Sequence, residues 1–348
     1  MAKRAVSART ALLKYLALRL VLIIPTVLIL VTVVFFFMRV TGDPITASMG
    51  GRLPPEEIER RKELAGYNDP VIVQYGRFLW GLLHGDFGRT TDNQAISDIL
   101  ITYGPATLEL VFWALIVAFA VGIPLGRLAA RKYNKVADIS IRSFAVLFYA
   151  APVFFVALIL KLVFSIKLGW FPVSGRASVT VQTILESKVK VNTHIYILNA
   201  IQYGKWEYIV DVLRHAVLPG VALGLLTAGV FIRLTRINLL QTMRADYVTA
   251  ARARGVAENK VVSKHAFRNA LIPVVTVMGM QIAMMLGGAI LTETTFEWQG
   301  LGYWLSQYLL KRDFVAVQGI TTAIAVIVAV ASFIIDAINA FIDPRVRY

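Results

Sequence analysis

Six apolar runs, at 20–38, 110–126, 143–160, 216–232, 271–292 and 314–335, alternate with polar and charged stretches along the 348 residues. A helix of roughly 20 apolar residues spans a bilayer, so each run predicts one transmembrane helix. The first run is longer than the apolar stretch of a secretory signal, and no small-x-small cleavage site follows it. It is therefore read as an uncleaved span. Long polar regions at 41–104 and 169–214 separate spans one and two and spans three and four. A short basic loop, 127–142, joins spans two and three, and the stretch 246–273 joins spans four and five.

Composition agrees with this reading. Hydrophobic residues make up 57% of the chain and charged residues 16%, with mean hydropathy +0.66, far from the balance of a soluble domain. Charge then sets direction, because Lys and Arg collect on the cytoplasmic side. Lys3, Arg4, Arg9, Lys14 and Arg19 precede span one, Arg127, Arg131, Lys132, Lys135 and Arg142 lie between spans two and three, and the 233–268 stretch is basic again. Those loops and the C-terminus hold few acids (Asp138, Asp246, Glu258, Asp343), whereas Glu56, Glu57, Glu59 and Glu63 sit in the first long outer region. The expectation is a multi-pass protein of the cell membrane with both termini cytoplasmic. A pI near 10.0 raises nucleic-acid binding as a competitor, but the basic residues are divided among loops that the spans separate. No nucleic-acid partner is expected, and membrane lipid is.

The stretch 246–273, DYVTAARARGVAENKVVSKHAFRNALIP, stands out between its apolar neighbours. Its first part predicts a helix over 246–254, with Arg252 and Arg254 suited to the negative end of the dipole and Gly255 to a left-handed stop. A second helix is expected over 258–270, with Lys260, Lys264 and Arg268 on one face and Val262, Ala266 and Ala270 on the other. Pro273 opens the next span at a position that helices tolerate. Two short helices fixed to spans at both ends make a lever; the alternative is a solvated basic loop that only sets topology.

The segments TAARARG and HAFRNALIP resemble the "EAA" loop of ABC-importer permeases, in the branch that imports dipeptides, oligopeptides and, in some members, nickel or oligosaccharides. Thr249 stands where the general pattern has Glu. TGDP at 41–44, GDFG at 85–88, FEWQGLG at 296–302 and IDPRV at 342–346 extend the resemblance over nearly the whole chain, with Gln299 where Pro is usual. The resemblance implies an all-α, six-helix permease with the type I ABC importer fold. Residues 1–104 would be a tail, first span and outer region, and 105–344 the transport core with coupling loop 246–273 and outer insertion 169–214. Implied partners are a homologous second permease subunit, two cytosolic ABC ATPase subunits and an extracytoplasmic solute-binding protein. Thr249, Ala250, Ala251, Gly255 and Pro273 would couple to the ATPases. Peptide is the expected cargo, with oligosaccharide or nickel as alternatives.

The remaining chemistry is sparse. The sequence has 0 Cys and 4 scattered His, and neither HExxH nor a GxxxxGK[ST] loop occurs. No catalytic residue, metal or cofactor is expected, and any ATP would be bound by partner subunits. Gly122 with Gly126 and Gly220 with Gly224 have the GxxxG spacing of close helix pairs, and Pro25, Pro124, Pro152 and Pro219 mark possible kinks. Lys161, Lys167 and Arg233 lie near span ends, where long side chains reach water. Asp336, just after the last run, is read as a polar contact near Asn339; its rival reading is a proton relay in a secondary transporter. In the outer regions, a surface helix is expected over 54–62, a short hairpin over 178–207, and an interfacial helix-turn over 293–313.

Overall fold

A computed structural model describes residues 2–40, 45–46, 54–64 and 66–342. The turn-prone 41–44 and the terminal 343–346 lie outside the described residues. In chain order the helices are α1 (Ala2–Val40), α2 (Pro55–Leu64), α3 (Val71–Leu83), α4 (Ile96–Arg131), α5 (Val136–Ala150), α6 (Val153–Leu160), α7 (Val179–Ser187), α8 (Tyr196–Tyr203) and α9 (Trp206–Thr242). They continue as α10 (Asp246–Ala253), α11 (Glu258–Lys260), α12 (Phe267–Ala270), α13 (Ile272–Phe296), α14 (Leu301–Leu310) and α15 (Phe314–Ile342), with widened π-type turns at Lys161–Lys167 and Val261–Ala266. Among the described residues there is no strand beyond one isolated bridge, Arg89 to Ala95.

Five helices, α1, α4, α9, α13 and α15, are long and apolar enough to cross a membrane. The third expected span differs. Instead of one helix over 143–160, α5 and α6 meet at an angle of 106°, so the crossing is broken. The cause is local: Pro152 has no N–H to give and keeps the residue before it extended, and Ala151 sits at φ −73°, ψ 135°. Pro25, Pro124 and Pro219, by contrast, lie inside continuous helices.

The central pair is α4 and α9, of 36 and 37 residues, each about 55 Å long at 1.5 Å per residue. They overrun a hydrocarbon layer of roughly 30 Å and project past it at both ends. The apolar runs 110–126 and 216–232 marked only their middles. Both GxxxG pairs lie in this contact. A Cβ on Gly224 would fall 2.6 Å from the Ala114 carbonyl oxygen, and one on Gly126 would fall 2.7 Å from that of Ile232. Phe119 and Phe231 stack between the two helices with ring centroids 4.9 Å apart.

The 169–214 insertion is helical, not a hairpin. Alternation over 178–207 also satisfies a four-residue repeat, and Val181 with Leu185 and Tyr196 with Ala200 bury one side of α7 and α8 together. Burial of that shared face selects helix, and Gly204 at φ +80° ends α8. The surface helix expected near 54–62 is α2, and the expected helix-turn after span five is α14.

Gly224→Val forces a branched side chain into the α4–α9 contact and should destabilise the protein by about 1–3 kcal/mol or more, the range for overpacked cores. Gly287→Ala, inside a helix where an added Cβ meets nothing within 4 Å, should leave the unfolding midpoint in detergent unchanged or raise it, because Ala favours helix over Gly. Equal midpoints for the two variants would contradict the close approach.

Candidate functional site

The stretch after α9 folds as the two expected short helices. Asp246 occupies the first turn of α10 and Arg252 its last, each at the dipole end it favours. Gly255 has φ +75° with open space around it, so its role is purely one of backbone conformation. Val256 N–H donates to Ala251 O at 3.2 Å and Gly255 N–H to Arg252 O at 2.9 Å, the paired bonds of a Schellman stop. Beyond it, α11, the widened turn and α12 form one irregular helical segment. Val262, Ala266 and Ala270 are buried as their spacing predicts; the widened turn adds Val261. Lys260, Lys264 and Arg268 are exposed.

What the segment packs against decides what it can transmit. Val248 and Ala251 of α10 join Val261, Val262, Ala266 and Ala270 in one apolar cluster that includes Leu239 of α9 and Ala130 of α4. Polar contacts reinforce it. Arg252 donates two bonds to Glu258, at 2.8 and 3.0 Å, across the Gly255 turn, and a third to the Met243 carbonyl at 3.1 Å. The bond from Arg252 holds the Glu258 carboxyl below its ordinary range. A depressed carboxylate pKa contributes stability above the unfolded value of 4.5 and loses it as pH falls through the folded value, so the bridge is complete at neutral pH. From α4, Arg131 donates to Asn259 and the Arg127 guanidinium lies 4.9 Å from the Phe267 ring centre.

One level further in, Arg236 of α9 makes two bonds, 2.7 and 2.8 Å, to the fully buried Asp138 of α5. Arg142 approaches the same carboxylate at 3.6 Å. The short segment is thus attached to α4 and α9 directly, and α9 is in turn tied to α5 by Arg236. In the sequence 127–142 is only a short basic loop, which does not announce this contact. The available signal was Asp138, the one acid in that basic stretch.

The residues singled out as coupling positions do not share one surface. Thr249 and Ala250 are exposed on α10, and Pro273 is exposed in the first turn of α13. Ala251 is 0% exposed, which corrects its expected place on a docking face: three residues past Val248, it lies on the inward stripe of α10. Asp336 forms an ion pair with Arg19 at 3.1 Å, and Lys161 donates to the Thr295 carbonyl at 2.8 Å.

The opposite end of α4 carries a second buried charge pair that the sequence did not reveal. Glu109 accepts from Arg176 at 2.6 Å and from the Tyr196 and Ile197 N–H groups at the start of α8. The Arg176 guanidinium stacks 3.8 Å from the Tyr196 ring centre. Trp298, fully buried, donates to the Ala106 carbonyl at 2.9 Å. The insertion 169–214 is therefore bolted to α4. Glu109 fell at the border of an apolar run, where a lone acid reads as solvated.

Residues 122–348 match the family model described as binding-protein-dependent transport system inner membrane component, and residues 12–115 match the corresponding N-terminal model. The dipeptide transport system permease protein DppB of Escherichia coli is 35% identical over 340 residues, covering 97% of this chain and 99% of that protein. A protein of the same name from Alkalihalophilus pseudofirmus is 33% identical, covering 97% and 100%. The oligopeptide transport system permease protein AppB of Bacillus subtilis is 33% identical, covering 96% and 99%.

Burial predicts opposite outcomes for neighbouring substitutions. Ala251→Glu places an unpaired carboxylate in the apolar cluster, a change that costs several kcal/mol, and should speed amide hydrogen exchange throughout 246–270. Thr249→Glu, on the exposed face, should leave exchange there as in the parent. The reverse order would refute the assignment of the two faces.

Proposed function

The chain belongs to the family of binding-protein-dependent transport system inner membrane components, and from that premise we propose that it forms half of a peptide pathway whose cytoplasmic drive enters at α10. It is a permease subunit of an ABC importer. The observation that carries the proposed drive is the attachment of one compact segment to α4 and to α9, which Arg236 ties in turn to α5. A push on exposed Thr249 and Ala250 is borne by a packed cluster and ion pairs, so it displaces the span ends and does not dissipate in a soft loop. In the proposed assembly a homologous second permease completes the pathway and two cytosolic ATPases bind the ATP. An extracytoplasmic solute-binding protein delivers the cargo. ATP-driven closure of the ATPase pair brings the two coupling segments together and turns the bundle from inward- to outward-facing.

Peptide is the proposed cargo, supported by relatives whose names state dipeptide or oligopeptide transport. The orientation proposed is N- and C-termini inside, which puts the 246–273 segment in the cytoplasm with the basic loop 127–142. The proton-coupled alternative finds less support: Asp336 is occupied by Arg19, and Asn339 contacts the Thr276 carbonyl at 3.5 Å.

Gly255→Val tests the drive. A β-branched residue at positive φ is strained, so the Schellman stop and the angle between α10 and the next segment change while the apolar spans do not. The variant should reach the membrane at near-parental level yet lose most ATP-dependent uptake of labelled di- and oligopeptides, or most copurifying ATPase. Parental copurification and uptake would reduce the segment to a topological loop. Uptake of oligosaccharide or nickel in place of peptide would replace the cargo and leave the drive standing.

Orientation is tested separately, using the absence of native cysteine. Arg60→Cys and Lys190→Cys should react in intact cells with a membrane-impermeant thiol reagent, and Lys135→Cys and Glu258→Cys should react only after the membrane is opened. Labelling of Glu258→Cys in intact cells would invert the topology.

A further inference from the structure

The 13-residue helix α3 is an apolar helix that the transport reading leaves unused. It is about 20 Å long, too short to cross a hydrocarbon layer of roughly 30 Å. Its two faces differ in what they meet. On one, Tyr75 is hydrogen-bonded to Thr32 of α1, Phe78 stacks on Phe35 with centroids 5.5 Å apart, and Gln74 accepts from Arg39 at 2.9 Å. On the other, Ile72 is 70% exposed, Trp80 66% and Leu83 80%, with Val73 also exposed. At 3.6 residues per turn these four fall on a single arc, together with Gly76. No charged residue lies within it, and Arg77 at its edge is held by Asp69 at 2.6 Å.

The neighbouring surface says what covers this arc. The contacts with Thr32, Phe35 and Arg39 fix α3 beside the last two turns of α1, a helix whose crossing segment Lys14–Val40 is only 11% buried. There α1 presents Val33, Phe36 and Phe37 outward, apolar side chains of the kind that face lipid on a spanning helix. The exposed arc of α3 continues that lipid-facing surface sideways. An indole on such an arc suits the headgroup level, where its apolar body and N–H are both satisfied.

We propose that α3 is an interfacial anchor: it lies in the headgroup and upper acyl region of the leaflet nearest Val40, with Ile72, Val73, Trp80 and Leu83 immersed in lipid. The polar region that follows the first span is thereby pinned to the bilayer surface at α3, so that α2, with its exposed carboxylates, projects into water from a fixed base. Calling that leaflet the outer one follows the orientation proposed above, but the immersion itself does not depend on it.

The test uses nitroxide labels on the full-length chain in the intact transporter, reconstituted into phosphatidylethanolamine–phosphatidylglycerol vesicles. Ile72→Cys and Leu83→Cys are compared with Glu59→Cys on exposed α2, and the same assembly without an added cysteine serves as the blank. Collision with oxygen, which concentrates in lipid, and with a water-soluble nickel chelate is measured at each site. The ratio of oxygen to nickel access should be several-fold higher at positions 72 and 83 than at 59. Nickel access equal to that at 59 would put the arc in water, and low access to both reagents would mean that protein covers it; either result overturns the anchor.

Discussion

Close backbone approach between α4 and α9 is the constraint on which the other features depend. Four glycines remove the side chains that would hold the helices apart, and backbone and Cβ atoms of the facing helix crowd the space a Cβ would need. Because both helices overrun the bilayer, the pair acts as a spine with two working ends. One end supplies Arg127, Ala130, Arg131 and Leu239 to the 246–270 segment, and toward the other α4 supplies Ala106 to Trp298 and Glu109 to the 169–214 insertion. A shift of one helix against the other would disturb both ends at once.

Buried charges mark those ends. Neither Asp138 with Arg236 nor Glu109 with Arg176 is strong evidence for net stability, since desolvation offsets much of the attraction. What the pairs supply is definition: each fixes which helix meets which, at hydrogen-bond length, in surroundings where an unpaired charge is heavily penalised. The arrangement concentrates rigid joints at the ends and leaves the sharp break at Ala151 and Pro152 as the place where a crossing segment is not one continuous rod.

Much of this was legible in the sequence, and what was not has a common cause. Features carried by a short local pattern were readable: the apolar runs, the Gly255 stop, the inward stripe Val262, Ala266 and Ala270, and the paired glycines. Features that depend on a partner distant in sequence were not. Asp138 and Arg236 are 98 residues apart, and nothing near either announces the other. Ala251 was misplaced because a family-like motif names residues without saying which way each faces, although its spacing from Val248 already pointed inward. The 178–207 hairpin failed because alternation over a few residues fits either period, and burial against a neighbour decides. The lipid-facing arc of α3 was missed for a different reason, its apolar run being too short to register as a span.

The Glu109–Arg176 pair also bears on how the chain is made. Its members are 67 residues apart, and at about 5–20 residues per second of synthesis the glutamate is incorporated roughly 3 to 13 s before its arginine. During that interval the acid has no partner, and α4 cannot settle against the insertion. The start of α8, which Glu109 also caps, emerges later still. Synthesis past residue 197 is therefore the earliest moment at which all the partners of Glu109 exist and this side of the protein can lock.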